Sequence, residues 1–114
     1  MNKTDRIIGC LKKYNPDKVI LFGSYARGDN DRSSDLDLLV IKKTRKRFLE
    51  RMIEVARLIS NDLGKVDAIV YTPQEMQRMV EWQNPFIENV LREGKVIYEK
   101  KPGRGRTLAK AGRI

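Results

Sequence analysis

The sequence predicts an α/β fold of the α+β kind, a small mixed β-sheet flanked by helices. Two short apolar runs, Val19-Ile20-Leu21-Phe22 and Leu38-Leu39-Val40-Ile41, lack polar alternation and read as buried strands. A third run, Val66-Asp67-Ala68-Ile69-Val70-Tyr71, has strand composition broken by a single acid. Around these runs apolar residues recur at helical spacing, with proline and glycine where helices start and stop.

Ile7, Ile8, Leu11 and Tyr14 mark one face of a helix over residues 3–14, capped by Asn2 or Thr4 and ended by Asn15-Pro16. Lys18–Phe22 is the first strand, and Gly23-Ser24 turns the chain. Residues 25–27 suit a helical turn closing at Gly28, and residues 29–34 a polar loop. Residues 35–41 form the second strand. Its period of two puts Asp35, Asp37, Leu39 and Ile41 on one face and Leu36, Leu38 and Val40 on the other.

Five basic residues and a threonine over 42–47 lead into a helix expected to reach about Asp62 and stop at Gly64. Phe48, Leu49, Met52, Ile53, Ala56, Ile59 and Leu63 are its expected buried stripe. The third strand, residues 65–71, carries Asp67, Ile69 and Tyr71 on one face. Thr72-Pro73-Gln74-Glu75 is a capping box with proline at the first helical position. That helix runs to about Trp82 with Met76, Met79 and Val80 inward, and Trp82 reads most simply as core. Asn84-Pro85 starts another helix, with Phe86, Ile87, Val90 and Leu91 inward, ending at Gly94 before a short last strand over 95–98.

The 114 residues suffice for one domain. We expect it to span residues 1–99, with residues 100–114 as a basic, disordered tail. Residues 100–114 hold six basic side chains and no acid, which leaves +3 of the net +9 for residues 1–99. The domain itself is therefore only mildly basic, which argues against nucleic acid as its partner. Cys10 stands alone, so no internal disulfide can form, and the absence of histidine excludes a Ser-His-Asp triad and histidine-ligated zinc. No apolar run approaches the roughly 20 residues of a membrane span, and the N-terminus lacks a signal-peptide pattern. The expectation is a cytoplasmic protein without membrane association.

The chemistry concentrates between Gly23 and Val40. A glycine at a strand end lets backbone N–H groups approach an anion, and Ser24 adds a hydroxyl. Gly23 and Gly28 share the spacing of a Walker A loop, but Asp29-Asn30 stand where Lys-Ser/Thr is required. Asp35 and Asp37 lie two apart on one strand face, close enough to share a metal ion. Asp67 is the candidate third carboxylate, because an ionised acid within an apolar strand is costly unless paired or metal-bound.

Gly23-Ser24, then Ser34-Asp35-Leu36-Asp37-Leu38-Leu39-Val40, then Asp67 in its apolar strand resemble the signature of the DNA polymerase β-type nucleotidyltransferases. Residues 3–99 as a whole resemble the minimal nucleotidyltransferases, which commonly occur as antitoxin partners of small helical HEPN toxins. The resemblance implies a nucleotidyltransferase fold and Mg²⁺-dependent transfer of AMP from ATP to a hydroxyl, a tyrosine of a HEPN-type toxin. It makes Asp35, Asp37 and Asp67 metal-binding and catalytic, and Gly23 and Ser24 phosphate contacts. Arg27 would steady the triphosphate or brace the loop. We expect no further acceptor-binding domain, which supports a protein acceptor. A non-catalytic masking antitoxin, a small-molecule or RNA acceptor, and a homo-oligomer stay open at this level.

Overall fold

The computed structural model describes residues 2–28 and 35–100; the loop expected over 29–34 and the tail beyond Lys100 lie outside the described residues. Helix α1 (Lys3–Leu11) starts at Asn2, whose Oδ1 accepts the Asp5 N–H at 2.8 Å. A 3₁₀ turn over Lys12–Tyr14 follows and closes at Asn15, in the left-handed region at φ 58°. Strand β1 (Lys18–Phe22) leads into the four-residue helix α2 (Ser24–Arg27), then β2 (Leu36–Ile41) and α3 (Phe48–Leu58). The second half comprises β3 (Val66–Tyr71), α4 (Pro73–Glu81), α5 (Pro85–Glu93) and β4 (Lys95–Glu99).

The sheet order is β3-β2-β1-β4. β1 is antiparallel to both β2 and β4, whereas β2 and β3 are parallel and joined by α3. The faces predicted for β2 hold. Leu36, Leu38 and Val40 pack with Ile7, Leu11 and Val55 under α1 and α3, and Leu39 and Ile41 pack with Met76, Ile87 and Val90 under α4 and α5. Gly94 joins α5 to β4 at close quarters. A Cβ there would lie 2.5 Å from the Val90 carbonyl oxygen and 2.6 Å from Ile20 Cγ2.

Helix α3 departs from expectation twice. It ends at Leu58 rather than near Asp62, and a 3₁₀ turn over Asn61–Leu63 follows, with Gly64 as its cap. The reason is local. Ser60 Oγ bonds Asp62, and Asp62 Oδ2 accepts Arg6 at 2.6 Å, so these polar side chains hold a turn that competes with helix. The buried stripe is also different. Arg51 and Val55 are buried, while Phe48, Leu49 and Ile53 are 43%, 69% and 44% exposed and Ala56 is exposed. Of the expected stripe, Leu63 is buried and Met52 and Ile59 are half-buried.

Arg51 takes a core position because its charge is fully engaged. It pairs with both Glu75 carboxylate oxygens at 2.8 and 3.2 Å, and donates to the carbonyls of Lys46 at 2.8 Å and Val70 at 3.2 Å. Trp82 is likewise not core but 75% exposed, in the turn between α4 and α5. The basic run at 42–47 is partly engaged: Lys42 Nζ donates to the Tyr14 carbonyl and Lys46 pairs with Glu54 at 2.9 Å.

Candidate active site

Antiparallel register places Phe22, the last residue of β1, opposite Asp37 on β2. The next residue, Gly23, has φ 78° and ψ −157°, backbone angles that belong almost solely to glycine. A second reason for glycine is contact: a Cβ at this position would overlap Asp37 Oδ2. The Gly23 carbonyl then accepts the N–H groups of Ala26 and Arg27, both at 3.1 Å, which winds α2. Gly28 closes it at φ 83°, its N–H donating to the Ser24 carbonyl at 2.9 Å. The predicted Gly-Ser turn thus exists, and it leans directly on the first predicted carboxylate strand.

Parallel register pairs Asp37 with Asp67. Both side chains share the α4/α5 face, on strands about 4.8 Å apart. Asp37 is half-buried and Asp67 exposed, because β3 is an edge strand. That corrects the argument from burial: Asp67 incurs no large desolvation cost, and its position beside Asp37 is what marks it. Burial raises the Asp37 pKa, the charges of Asp67 and then Asp35 raise it further, and Arg27 opposes them. Asp35 sits just before β2 with its Oδ2 3.7 Å from Lys65 Nζ. Among the described residues no group of three or more acidic, histidine or cysteine side chains gathers into a metal cage. The structure therefore brings Asp37 and Asp67 together and holds Asp35 nearby in an ion pair.

Two facing carboxylates, one with its pKa raised by burial and then by the other's charge, form a hard-oxygen donor set that a divalent cation would relieve. Mg²⁺ is commonly held by one or two carboxylates plus substrate phosphates, so this pair fits it. Arg27 Nη1 lies 3.2 Å from Glu93 Oε1, which ties α2 to α5. Beside the carboxylates opens a cleft of about 420 Å³. Its lining includes Phe22, Phe86, Met52 and Ala56, none of which sequence reasoning assigned to the site. Phe22 and Phe86 meet edge-to-face with centroids 5.5 Å apart. The signal available for Phe22 was its place immediately before Gly23.

Residues 5–103 match the family model described as Polymerase beta, Nucleotidyltransferase. The chain belongs to the polymerase β nucleotidyltransferase family. A relative from Methanocaldococcus jannaschii, named "Putative protein adenylyltransferase", is 37% identical over 71% of this chain and 77% of its own length. The crystal structure of a toxin–antitoxin with AMP-PNP superposes with a TM-score of 0.63 at 24% identity, covering 89% of this chain and 76% of that one. A complex of a tri-AMPylated Shewanella oneidensis HEPN toxin with its MNT antitoxin superposes at 0.55 and 19% identity, covering 86% and 71%. Both likenesses are ones of fold. In this nucleotidyltransferase Phe22 at the end of β1 and the carboxylates Asp37 of β2 and Asp67 of β3 border a single cleft.

Proposed function

We propose that this nucleotidyltransferase transfers AMP from ATP to a hydroxyl, a tyrosine, of a HEPN-type toxin and so acts as its antitoxin. The observation that carries the reading is the register pair Asp37–Asp67 with the Asp37 carboxylate seated against Gly23. The adenylyltransferase name of the Methanocaldococcus relative and the toxin–antitoxin neighbours support the donor and the partner.

Gly23 and Ser24 contact the triphosphate at the turn after β1. Asp37 and Asp67 would hold Mg²⁺, with Asp35 as the further candidate ligand beside them. When bound, the metal neutralises phosphate charge and that of the departing pyrophosphate. Asp67, at the outer and exposed strand, orients the acceptor hydroxyl and takes its proton. The acceptor oxygen bonds to the α-phosphorus as the bond to pyrophosphate breaks, in line with the attack. The chain's contribution is positioning and charge neutralisation.

Incubation with α-labelled ATP, Mg²⁺ and the product of the neighbouring gene should label that product. Asp37→Asn should reduce labelling by at least a hundredfold. Absence of label, with Asp37→Asn neutralising the toxin as well as wild type, would show instead a masking antitoxin. The exposed Phe48, Leu49 and Ile53 on α3 give that second reading its own footing.

A further inference from the structure

Among the described residues the outer edge of β3 is open on either side of Asp67. Leu36 N–H donates to the Lys65 carbonyl and Lys42 N–H to that of Tyr71, both at 3.0–3.1 Å. Strand periodicity therefore turns the backbone groups of Lys65, Asp67, Ile69 and Tyr71 toward β2, and those of Val66, Ala68 and Val70 outward. The Val70 carbonyl is already taken by Arg51 at 3.2 Å. Among the described residues nothing pairs with the outward groups of Val66 and Ala68, which flank Asp67. The cleft lies along this segment. It is lined from one side of the sheet by Met52 and Ala56 and from the other by Asp37 and Phe86.

Resting on the proposed function, we infer that the acceptor polypeptide docks as an added β-strand on Val66 and Ala68. A strand residue opposite Asp67 then raises its side chain on the carboxylate face, because directly paired residues share a face. The added strand's backbone satisfies the open donors and acceptors, and its other face covers the exposed apolar residues of α3. Charge selects the occupant. One end of the edge carries Lys65, with its side chain 72% exposed. At the other end, where Phe48 stacks on Tyr71 at 5.8 Å, Arg45 and Arg47 are exposed. The edge fits an extended segment with acidic flanks. It does not suit this chain's own residues 101–114, which carry five basic side chains and no acid.

The probe is a peptide with a tyrosine between valines and glutamates at both ends, against the same peptide with lysines as flanks. With the isotope-labelled full chain, the acidic peptide should shift the amide signals of Val66 and Ala68 and slow their exchange, and leave those of Asp67 and Ile69 unmoved. This readout needs no nucleotide, so a chain that fails to bind Mg²⁺·ATP defeats the proposed function while the amides still decide the docking edge. Ala68→Pro removes an outward donor at an edge position that tolerates proline. It should cut AMP transfer to the peptide at least tenfold with Mg²⁺·ATP affinity unchanged. Should Ala68→Pro fail to fold, Leu49→Glu on the exposed apolar face of α3 decides, with a similar loss for the acidic peptide and none for the lysine one. Unshifted amides, or full transfer by a folded Ala68→Pro chain, would overturn the inference. So would a doubled mass in sedimentation with both amides protected before any peptide is added, which would assign the edge to a second copy.

Discussion

The Asp37 carboxylate touches the turn that follows β1, faces Asp67 across one strand spacing, and is half-buried. Each circumstance suits a cation and phosphate, and none suits the bare anion. Burial first, then the charges of Asp67 and Asp35, raise its pKa. The folded state holds the proton to higher pH than the unfolded chain, so the metal-free protein gains stability as pH falls into the window between ordinary and raised pKa. Above that window the charge is a liability. Asp37→Asn should therefore raise the metal-free melting midpoint at pH 7–8 by roughly 2–4 °C while abolishing transfer. An unchanged or lowered midpoint, read by calorimetry in chelator, would contradict this account. Protons also compete with Mg²⁺ here, so nucleotide binding should weaken as pH falls through the same window.

At the scale of elements, Arg51 ties together the start of α3, the end of β3's open edge and the first turn of α4. Its partner Glu75 also accepts the Thr72 N–H at 2.9 Å, closing the predicted capping box. Burial would raise the Glu75 pKa, but Arg51 and Thr72 together lower it. A depressed carboxylate stabilises the fold above its unfolded pKa and loses that contribution as pH falls through the folded value. Arg51→Met should cost about 2–3 kcal/mol in denaturant unfolding at pH 7. Because the variant has already lost the pair, acidification from pH 6 to pH 3 should widen its stability deficit no further and should narrow it. A pH-independent deficit would mean that packing of the side-chain stem, not the ion pair, carries the effect. Arg51 also explains where sequence pattern misled. Two stripes compete on α3, and an apolar count prefers the one containing Phe48, Leu49 and Ile53. The helix buries the other, because a guanidinium with four acceptors is cheaper to bury than its type suggests. Strand faces were legible because period two leaves only two choices, and the caps at Thr72 and Asn84 because each has one local solution, whereas the first cap stayed open between Asn2 and Thr4 until Asn2 was seen to accept the Asp5 N–H. The Asp37–Asp67 pairing was not, since parallel register across α3 is set by packing.

Across the whole molecule, the two cores lie on opposite faces of one four-stranded sheet, and among the described residues every buried apolar one falls between Ile7 and Val90. The chain after β4 contributes one described residue, Lys100, whose N–H donates to the Asp17 carbonyl at 2.9 Å and whose Nζ lies 3.5 Å from Asp17 Oδ1. Most of the positive charge excess lies beyond that point in the sequence. We propose that the donor half of the reaction and the fold that supports it are separable from the basic segment. A chain ending at Lys100 should melt within about 2 °C of the full chain. Both should gain equally from Mg²⁺ with a non-hydrolysable ATP analogue, about 2.7 kcal/mol at a hundred times the dissociation constant. What the truncation should change is long-range attraction: association with an acidic partner should slow and lose much of its salt dependence. A smaller nucleotide-induced stabilisation in the truncated chain would instead make residues 101–114 part of the donor site. An unaltered salt dependence would assign the attraction to Lys65, Arg45 and Arg47 around the open edge of β3.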